Sequence, residues 1–426
     1  MDAKQGLGTS RAWWVVLTAA LFFFYVFIQM NLFNPINQQI KQAFDLTAAE
    51  LGGLGSMFFA ANALFLFPAG ILLDRFSTKK LILLALSFCI IGTFIFGLAN
   101  AYWQAAAARF LVGMGASFCF LSCMRLASRW FQPSRMAFVT GIVITVAMLG
   151  GMVAQTPLAL VSSWLGWRGA VLANAVLGII IFALVFFIVE DHPPGSHENT
   201  LQDKAHLKQL GFWQSIRLAL LNPQNWYGGL YTSLMNFPIF LLGALWGIPY
   251  LEQIHHLTHL EATYATAALF IGVIIGSPVY GWISDHIERR VLPMMVGAVI
   301  SVVVMVLLMY VADWSLSSLI ILFFLVGLVT SSQVLTYPTV AELNPSSLTS
   351  TAVGVDSATV MFSGVICQPL FGWLLERHWD HQVIDGVSVY STQNFNAALL
   401  MMPVSFVIAL VIAFLIRETH CKALQY

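Results

Sequence analysis

The chain has 426 residues, of which 59% are hydrophobic and only 9% are charged, and its formal net charge is zero. So few polar side chains cannot cover a water-soluble globule, so the composition excludes such a protein and makes a lipid bilayer the expected solvent. The balanced charge gives no indication of a nucleic-acid partner, and we expect none.

The first apolar run follows Lys4 and Arg11 and extends from Trp13 to Phe33. It is longer than the core of a signal peptide, and it is not followed by a small-residue cleavage site. We therefore predict that this run is the first membrane span.

Further apolar runs follow along the whole chain. With about 20 residues per crossing, the sequence predicts an all-α membrane protein with spans near residues 13–34, 50–73, 80–99, 103–126, 136–160, 168–189, 226–250, 261–284, 291–312, 315–338, 350–375 and 394–416. We number these spans 1 to 12 and assign them to two six-helix halves, residues 1–190 and 226–426. The stretch 191–225 is predicted to be a linker whose last part is an amphipathic helix on the membrane surface.

The basic residues indicate the orientation, because short basic loops stay in the cytoplasm. With the amino terminus inside, fifteen Lys and Arg residues fall in cytoplasmic segments, whereas three, Lys41, Arg168 and Arg377, fall on the opposite side. We therefore expect a multi-pass protein of the plasma (inner) membrane, with both termini and the linker in the cytoplasm. We also expect a monomer.

A short polar motif occurs once in each half. Gly70 and Asp74 follow span 2, and Gly281 and Asp285 follow span 8, with an offset of 211 residues for both pairs (281 − 70 and 285 − 74). Basic residues come next in both copies, namely Arg75, Lys79 and Lys80 in the first and Arg289 and Arg290 in the second. Both copies lie on the predicted cytoplasmic side.

A second repeat supports a duplication of the chain. Phe110-Leu-Val-Gly113 with Ser117 in span 4 matches Phe324-Leu-Val-Gly327 with Ser331 in span 10, at an offset of 214 residues. Parallel halves of this kind are typical of one large class of transporters.

These motifs resemble those of the major facilitator superfamily, and the resemblance covers essentially the whole chain. Gly70 to Lys80 is similar to the family's loop motif between helices 2 and 3, and Gly281 to Arg290 is similar to the weaker copy between helices 8 and 9. Arg109-Phe-Leu-Val-Gly113-Met-Gly115 resembles the arginine-bearing motif of helix 4. The chain departs from the family at Ser77, where a second glycine is usual, and at His286, where an arginine is usual.

The resemblance implies a fold and a gate. Helices 1, 4, 7 and 10 are expected around a central pathway, and Asp74 is expected to face the start of span 11 on the cytoplasmic side. There Gly70 would permit close helix approach, and a helix amino terminus would favour an anion. The drug-antiporter signature Gly-Pro-x-x-Gly-Gly is absent from span 5, whereas Arg129-Trp-Phe131 and Gly166-Trp-Arg168 resemble runs in solute symporters, including organic-anion and lysosomal dipeptide carriers.

Two residues with formal charge lie within predicted spans, Arg109 and Asp356. Each costs about 2.5 to 3.5 kcal/mol at a helix centre, so neither is expected to face lipid. Asp356 is interpreted either as a proton or cation site or as a residue that holds the inner gate. Arg109 either binds a substrate carboxylate or phosphate or bonds to backbone carbonyls of helix 1, and the resemblance favours the second role or proton coupling.

Uncharged polar residues within the spans are candidates for a substrate cavity. Singly, each is more often a contact between helices than a ligand contact, but together they predict a polar cavity. The set comprises Tyr25, Gln29, Asn31, Asn62, Gln155, Tyr231, Asn236, Ser331 and Gln333.

The sequence indicates neither a metal nor a cofactor. All ten histidines fall in loops or tails, and the histidine and glutamate cluster between Glu252 and Glu261 is interpreted as a solvated loop rather than a metal site. The five cysteines form no CxxC pair, and no nucleotide-binding loop or catalytic triad is present. We therefore do not expect an enzyme.

The leading hypothesis is a secondary active transporter that moves a small polar or anionic organic solute by alternating access. Proton-coupled symport through Asp356, with Arg109 second, is the expected mode. An exporter or a uniporter with the same fold is the alternative, and a non-transporting sensor is a third possibility.

Overall fold

The structure, a computed structural model, describes residues 2–131, 136–193, 212–311, 314–344, 349–377, 379–380, 382–384 and 387–422. The side chains of residues 2–9, 74–75, 136–138, 212–216, 349–350, 384 and 387 are outside this description. Most of the predicted linker, residues 194–211, is therefore not described. Asp74 and Arg75 are described only as helix backbone.

The first half consists of helices that begin at recognisable caps. Thr47 and Glu50 form a capping box at the start of the second span, and Ser77 accepts a hydrogen bond from the Lys80 N–H at the start of the third. The described helices are α1 (Asp2–Asn31), α2 (Phe33–Phe44), α3 (Ala48–Arg75), α4 (Thr78–Leu98), α5 (Tyr102–Ala116), α6 (Cys119–Trp130), α7 (Met136–Val153) and α8 (Thr156–Ile188).

The second half repeats this pattern with more irregular backbone. Thr258 and Glu261 form a capping box at the start of span 8, 211 residues after the pair that starts span 2. The described helices are α9 (Phe212–Leu221), α10 (Pro223–Met235), a π-helical segment (Ile239–Trp246), α11 (Gly247–His255), α12 (His259–His286), α13 (Val291–Tyr310), α14 (Leu316–Thr330), a 3₁₀ segment (Ser331–Leu335), α15 (Thr336–Glu342), α16 (Thr349–Glu376), α17 (Thr392–Leu399) and α18 (Met401–Leu415). Strands β1 (Val383–Ile384) and β2 (Val387–Ser388) form a short antiparallel pair before α17.

These helices make twelve spans. Ten described helices are long and apolar enough to cross a membrane, and the bent pair Pro223–Met235 and Ile239–His255 adds an eleventh. The stretch 139–188 has 50 residues, or about 75 Å at 1.5 Å per residue, against a hydrocarbon core of about 30 Å. Gly166, with φ of 68° and ψ of 171°, divides it in two. The predicted all-α architecture of two six-helix halves is confirmed.

The repeated glycines in spans 4 and 10 make the same contact in each half. A Cβ atom added at Gly113 would lie 2.2 Å from the carbonyl oxygen of Phe58, and one at Gly327 would lie 2.0 Å from that of Leu269. Only glycine therefore allows span 4 to lie directly on span 2, and span 10 on span 8. The repeat at an offset of 214 residues is a repeat of helix packing.

The two halves contact each other near one face of the bundle, which we call outer according to the predicted orientation. A Cβ atom at Gly52 of α3 would lie 2.5 Å from the Gln368 carbonyl oxygen of α16, and one at Gly372 would lie 2.4 Å from that of Ala48. Nearer the inner face, a Cβ atom at Gly354 of α16 would have no such neighbour within 4 Å. Spans 2 and 11 thus touch at their outer ends and diverge inward.

Candidate functional site

Asn34 joins the two halves at the outer face. Its buried amide Nδ2 donates to Leu242 O at 2.9 Å and to Gln155 Oε1 at 3.0 Å, and its Oδ1 accepts from the Ile248 N–H at 3.0 Å. Gln155 in turn donates to Gly243 O at 2.9 Å. The Asn34 side chain therefore has all its strong hydrogen-bonding capacity satisfied, mainly by the backbone of span 7.

Asn37, one turn later on the same helix, repeats the contact. Its Nδ2 donates to Leu245 O at 2.5 Å. Leu245 O is free to accept because residue 249, its partner in a regular α-helix, is proline and has no N–H. The π-helical segment and Pro249 thus provide the carbonyls that the asparagines of span 1 need.

Charged and polar residues extend these contacts toward the outer surface. Gln38 donates to Glu252 Oε2 at 3.0 Å, and Glu252 Oε1 lies 2.5 Å from His259 Nδ1. Lys41 Nζ donates to Tyr390 OH at 2.6 Å and lies 4.8 Å from the centre of that ring. We call the contacts between halves made by Asn34, Asn37, Gln38, Lys41, Ala48 and Gln155 the outer seam, the Ala48 N–H being the donor to Glu376 Oε1.

On the inner face, each half has its own polar cluster. In the first half, Asp191 after span 6 accepts from the Lys79 N–H at 2.8 Å and from the Ser77 hydroxyl. In the second half, Glu418 after span 12 accepts from the Arg290 N–H at 2.8 Å and the Val291 N–H at 3.0 Å. In both clusters an acid closes the amino terminus of the third helix of its own half, where the helix dipole favours a negative charge.

The second gate motif lies within its own half. Arg290 is buried and forms ion pairs with Asp285 at 2.6 Å and Glu342 at 2.8 Å. The hydrogen bonds that these two carboxylates accept, together with their charge, raise the pKa of Arg290 although burial opposes this. Arg289 is exposed and no heavy atom lies within 4 Å of a Cβ built at Gly281.

The first gate motif is only partly described. The side chains of Asp74 and Arg75 lie outside the described residues, so their predicted contact with span 11 stays a prediction. A Cβ atom at Gly70 would lie 4.0 Å from its nearest neighbour, Leu121 of the same half. Lys79 Nζ lies 5.5 Å above the ring of Phe186, and Lys80 is exposed.

Arg109 is buried in the outer part of the first half. Its NH1 donates to Gln29 O of helix 1 at 2.7 Å, and its guanidinium carbon lies 4.5 Å from the ring centre of Phe33 and 5.0 Å from that of Phe58. The structure therefore shows the backbone contact with helix 1 that was one of its two interpretations. Two aromatic faces compensate for part of the hydration that the cation loses.

Asp356 is fully buried in the second half, between spans 7, 10 and 11. Its Oδ1 lies 3.6 Å from the position of a Cβ atom at Gly228, and its Cα lies 3.2 Å from the equivalent position at Gly229. Among the described residues, neither carboxyl oxygen has a hydrogen-bond partner. An ionised carboxylate is not stable in such a place, so the geometry favours the protonated acid.

Several predicted cavity residues bond within their own half instead. Tyr25 OH lies 3.3 Å from Thr93 Oγ1, and Gln29 Nε2 donates to the same atom at 2.7 Å. Tyr231 OH donates to Met294 O at 2.8 Å, and Ser331 Oγ donates to Gly327 O at 2.8 Å. Gln155 belongs to the outer seam. These five side chains act as contacts between helices in this conformation.

Other members of the predicted set keep polar atoms without a partner. Asn31 Oδ1 and Gln333 Oε1 are buried without a hydrogen bond, whereas Asn31 Nδ2 donates to Phe27 O at 2.8 Å. The side chains of Asn62 and Asn236 also form no hydrogen bond with the described residues. These four lie on spans 1, 2, 7 and 10 and are the best candidates for solute contacts.

Sequence analysis missed the outer seam. Asn34 and Asn37 were left out of the candidate set because they follow the end of the predicted first span. The signal that could have identified them was Pro249, which leaves one carbonyl of span 7 without its helical donor.

Comparison with known proteins places the chain in a family. The family model of the Major Facilitator Superfamily matches residues 19–247 and 233–424. A probable sulfoacetate transporter of Cupriavidus necator is 23% identical over 375 residues, 84% of this chain and 86% of its own length. A gentisate transporter of Corynebacterium glutamicum is 23% identical over 389 residues, 89% of this chain and 85% of its own length.

A solved structure shows the same fold. A bacterial homologue of the human lysosomal transporter Spinster, in an inward-facing and occupied conformation, superposes with a TM-score of 0.73 at 20% identity, over 94% of this chain and 96% of that one. The family match, the twelve spans and the repeated glycine packing agree with the resemblance stated from the motifs. The chain belongs to the major facilitator superfamily, whose members are membrane transporters and not enzymes.

Proposed function

We propose that the protein is a secondary active transporter that moves a small polar or anionic organic solute by alternating access. The observation that carries this proposal is the asymmetry of the contacts between the halves. The outer seam joins them by hydrogen bonds, whereas the described inner clusters of Asp191 and Glu418 each bond within one half. A cavity between the halves in this conformation opens to the inner face, and rocking of residues 1–190 against 226–426 would open the other.

The relatives support organic anions as the first class to test. Two of them, each matching more than four fifths of this chain, are named for sulfoacetate and gentisate. The unbonded amides of Asn31, Asn62, Asn236 and Gln333 supply donors for a carboxylate or sulfonate without placing a fixed charge in the pathway.

We further propose proton coupling through Asp356. A buried acid with no hydrogen-bond partner loses little when it is protonated and gains hydration when a conformational change brings it to water. It can therefore take up a proton in one conformation and release it in another. By the same reasoning, the ion-paired carboxylates of the inner clusters are poor carriers, because their charged forms are stabilised.

Uptake into proteoliposomes tests both proposals. Radiolabelled sulfoacetate, gentisate and a panel of small organic acids are offered with and without an imposed pH gradient, acidic outside. We expect uptake of at least one acid to rise with the gradient, and Asp356→Asn to lose that response. Asp45→Asn is a matched control, since Asp45 is exposed with φ of 52°, which asparagine tolerates.

The alternatives predict different results. Uptake that ignores the gradient and is unchanged in Asp356→Asn contradicts proton coupling and leaves a uniporter. Accumulation only with the gradient reversed indicates an exporter. Binding of a solute, seen as thermal stabilisation, without flux across a sealed bilayer indicates a sensor.

The proposed arrangement in the cell follows from the basic residues. We propose a monomer in the plasma (inner) membrane with both termini in the cytoplasm, and the exposed Arg217 of α9 fits a surface helix on that side. Protease digestion of sealed, right-side-out vesicles checks this, because the linker near 194–211 should be protected.

A further inference from the structure

A chain of two buried threonine hydroxyls begins beside Asp356. Thr232 lies one helical turn after Gly228, on the same face of α10, and its hydroxyl lies next to the Asp356 carboxyl group. Thr232 Oγ1 is 2.6 Å from Thr336 Oγ1 of span 10, and Thr336 Oγ1 is 2.8 Å from the carbonyl oxygen of Gln333. Both threonines are fully or almost fully buried.

The chemistry of these groups fixes the direction of the hydrogen bonds. A carbonyl oxygen only accepts, so Thr336 donates its single hydroxyl hydrogen to Gln333. Thr232 must then donate to Thr336, and it can only accept from Asp356. The bonds seen here therefore fit a protonated Asp356, whose O–H is the donor that the chain lacks.

Ionisation of Asp356 would reverse the chain. A carboxylate only accepts, so Thr232 would turn its hydrogen to Asp356, and Thr336 would turn its hydrogen to Thr232. Gln333 would lose the side-chain bond to its carbonyl and keep the backbone bond from the Thr336 N–H. No proton passes along the chain, because each hydroxyl only rotates.

We propose that Thr232 and Thr336 form a hydrogen-bond switch that reports the protonation state of Asp356 to Gln333, in the 3₁₀ segment of span 10. The inference deepens the proposed function, because it rests on Asp356 as the proton site. Gln333 has an unpaired side-chain oxygen and belongs to the candidate solute contacts. Protonation and solute binding would thus act on one irregular turn, with the threonines as positioning residues.

Few other charges act on Asp356. On the helices packed against α16, the described titratable residues are Tyr337, which interacts with Asp356, Glu342, which is paired with Arg290, and the exposed residues Glu50 and Arg217. The side chains of Asp74 and Arg75 are not described. The hydroxyl chain is therefore the main described polar environment of the acid.

Infrared spectroscopy of the full-length protein in lipid tests the switch without relying on transport. The carboxylic C=O band that disappears in Asp356→Asn is followed as the pH is raised. Thr336→Val frees the Thr232 hydroxyl to bond with the carboxylate at no cost, so its midpoint should fall by about half to one pH unit. Thr232→Val removes that donor, so its midpoint should rise, whereas Thr232→Ser should behave as the wild type.

Thr339→Val is the matched control, because the Thr339 hydroxyl is equally buried and donates to Leu335 O at 2.6 Å on the same helix, outside the chain. Its midpoint should not move. Shifts in the same direction for Thr232→Val and Thr336→Val, or a wild-type midpoint in both, overturn the switch. Opposite shifts with uptake that ignores the pH gradient support the switch but contradict proton coupling, so the two failures are distinguishable.

Discussion

Replacing Asn34 by leucine should shift the protein toward an outward-open conformation. The leucine side chain has a similar size but no hydrogen-bonding groups. In the closed seam it leaves Leu242 O without its side-chain donor and the Ile248 N–H without its acceptor. In the open conformation water can reach both groups, so the penalty falls on the closed seam alone.

The size of the shift follows from the two groups on span 7. A buried backbone group that loses its partner costs about 1 to 3 kcal/mol, so two groups cost at least about 2 kcal/mol. Because about 1.4 kcal/mol is a factor of ten, the ratio of closed to open seam should fall by about thirtyfold or more. Loss of the Gln155 contact adds to this, although that residue can still donate to Gly243.

Distances between spin labels on the outer ends of the two halves measure the shift. Ala43→Cys and Leu260→Cys place labels at exposed outer positions, and the part-exposed Cys421 is replaced by serine in the background. The four other cysteines are buried and should not react. We expect a short distance in the parent and a longer, dominant distance in Asn34→Leu.

Asn225→Leu is the matched control. Asn225 is as buried as Asn34, but it donates to Ala219 O at 2.9 Å and accepts from Asn344 at 2.6 Å, both in the second half. This change should lower thermal stability and leave the label distance alone. An unchanged distance in Asn34→Leu, or the same change in both variants, would refute the assignment of the seam as the outer gate.

Three further predictions concern stability and pH. Gly113→Ala should abolish folding, because no room exists for its Cβ, whereas Gly141→Ala, with no neighbour within 4 Å, should leave the thermal midpoint unchanged. Burial opposes ionisation of Glu418, but four backbone N–H groups hold its pKa below the ordinary 4.5. The advantage in melting temperature of wild type over Glu418→Gln should therefore be complete above that pH and lost as the pH falls below it. Burial lowers the pKa of Lys41 to about 8, partly offset by a nearby carboxylate, so the closed seam binds this proton less tightly than an open one. Raising the pH above about 8 should favour the short label distance, and Lys41→Met should lose that response; equal responses would contradict the burial.

The fold could be predicted because its signals are local and repeated. Spans follow from about 20 apolar residues in sequence, and the capping residues Thr47 and Thr258 mark the same point in each half. The glycines at 113 and 327 even identified a packing contact before the helices were placed. None of these inferences needs the rotation of a helix about its axis.

The candidate site needs that rotation, and sequence does not supply it within an apolar span. Tyr25 and Gln29 could face the pathway or spans 3 and 6, and only the packing of Gly178 against Tyr25 shows that they face away. A π-helical segment and a 3₁₀ segment change the register of spans 7 and 10, so helical spacing fails there. Asp356 and Arg109 were identified because a charge in lipid is costly wherever it faces.

The kind of contact that closes the seam also decides whether it can open. The crossing donors and acceptors include the amides of Asn34 and Asn37 and the backbone of span 7, which water can satisfy once the halves separate. Each bond then contributes only about 0.5 to 1.5 kcal/mol net. The glycine contact of Gly113 with Phe58 is different, because its separation exposes apolar surface without compensation. Rigid halves joined by exchangeable hydrogen bonds are what rocking between two conformations requires, and binding a solute with a few kcal/mol of differential affinity is enough to drive it.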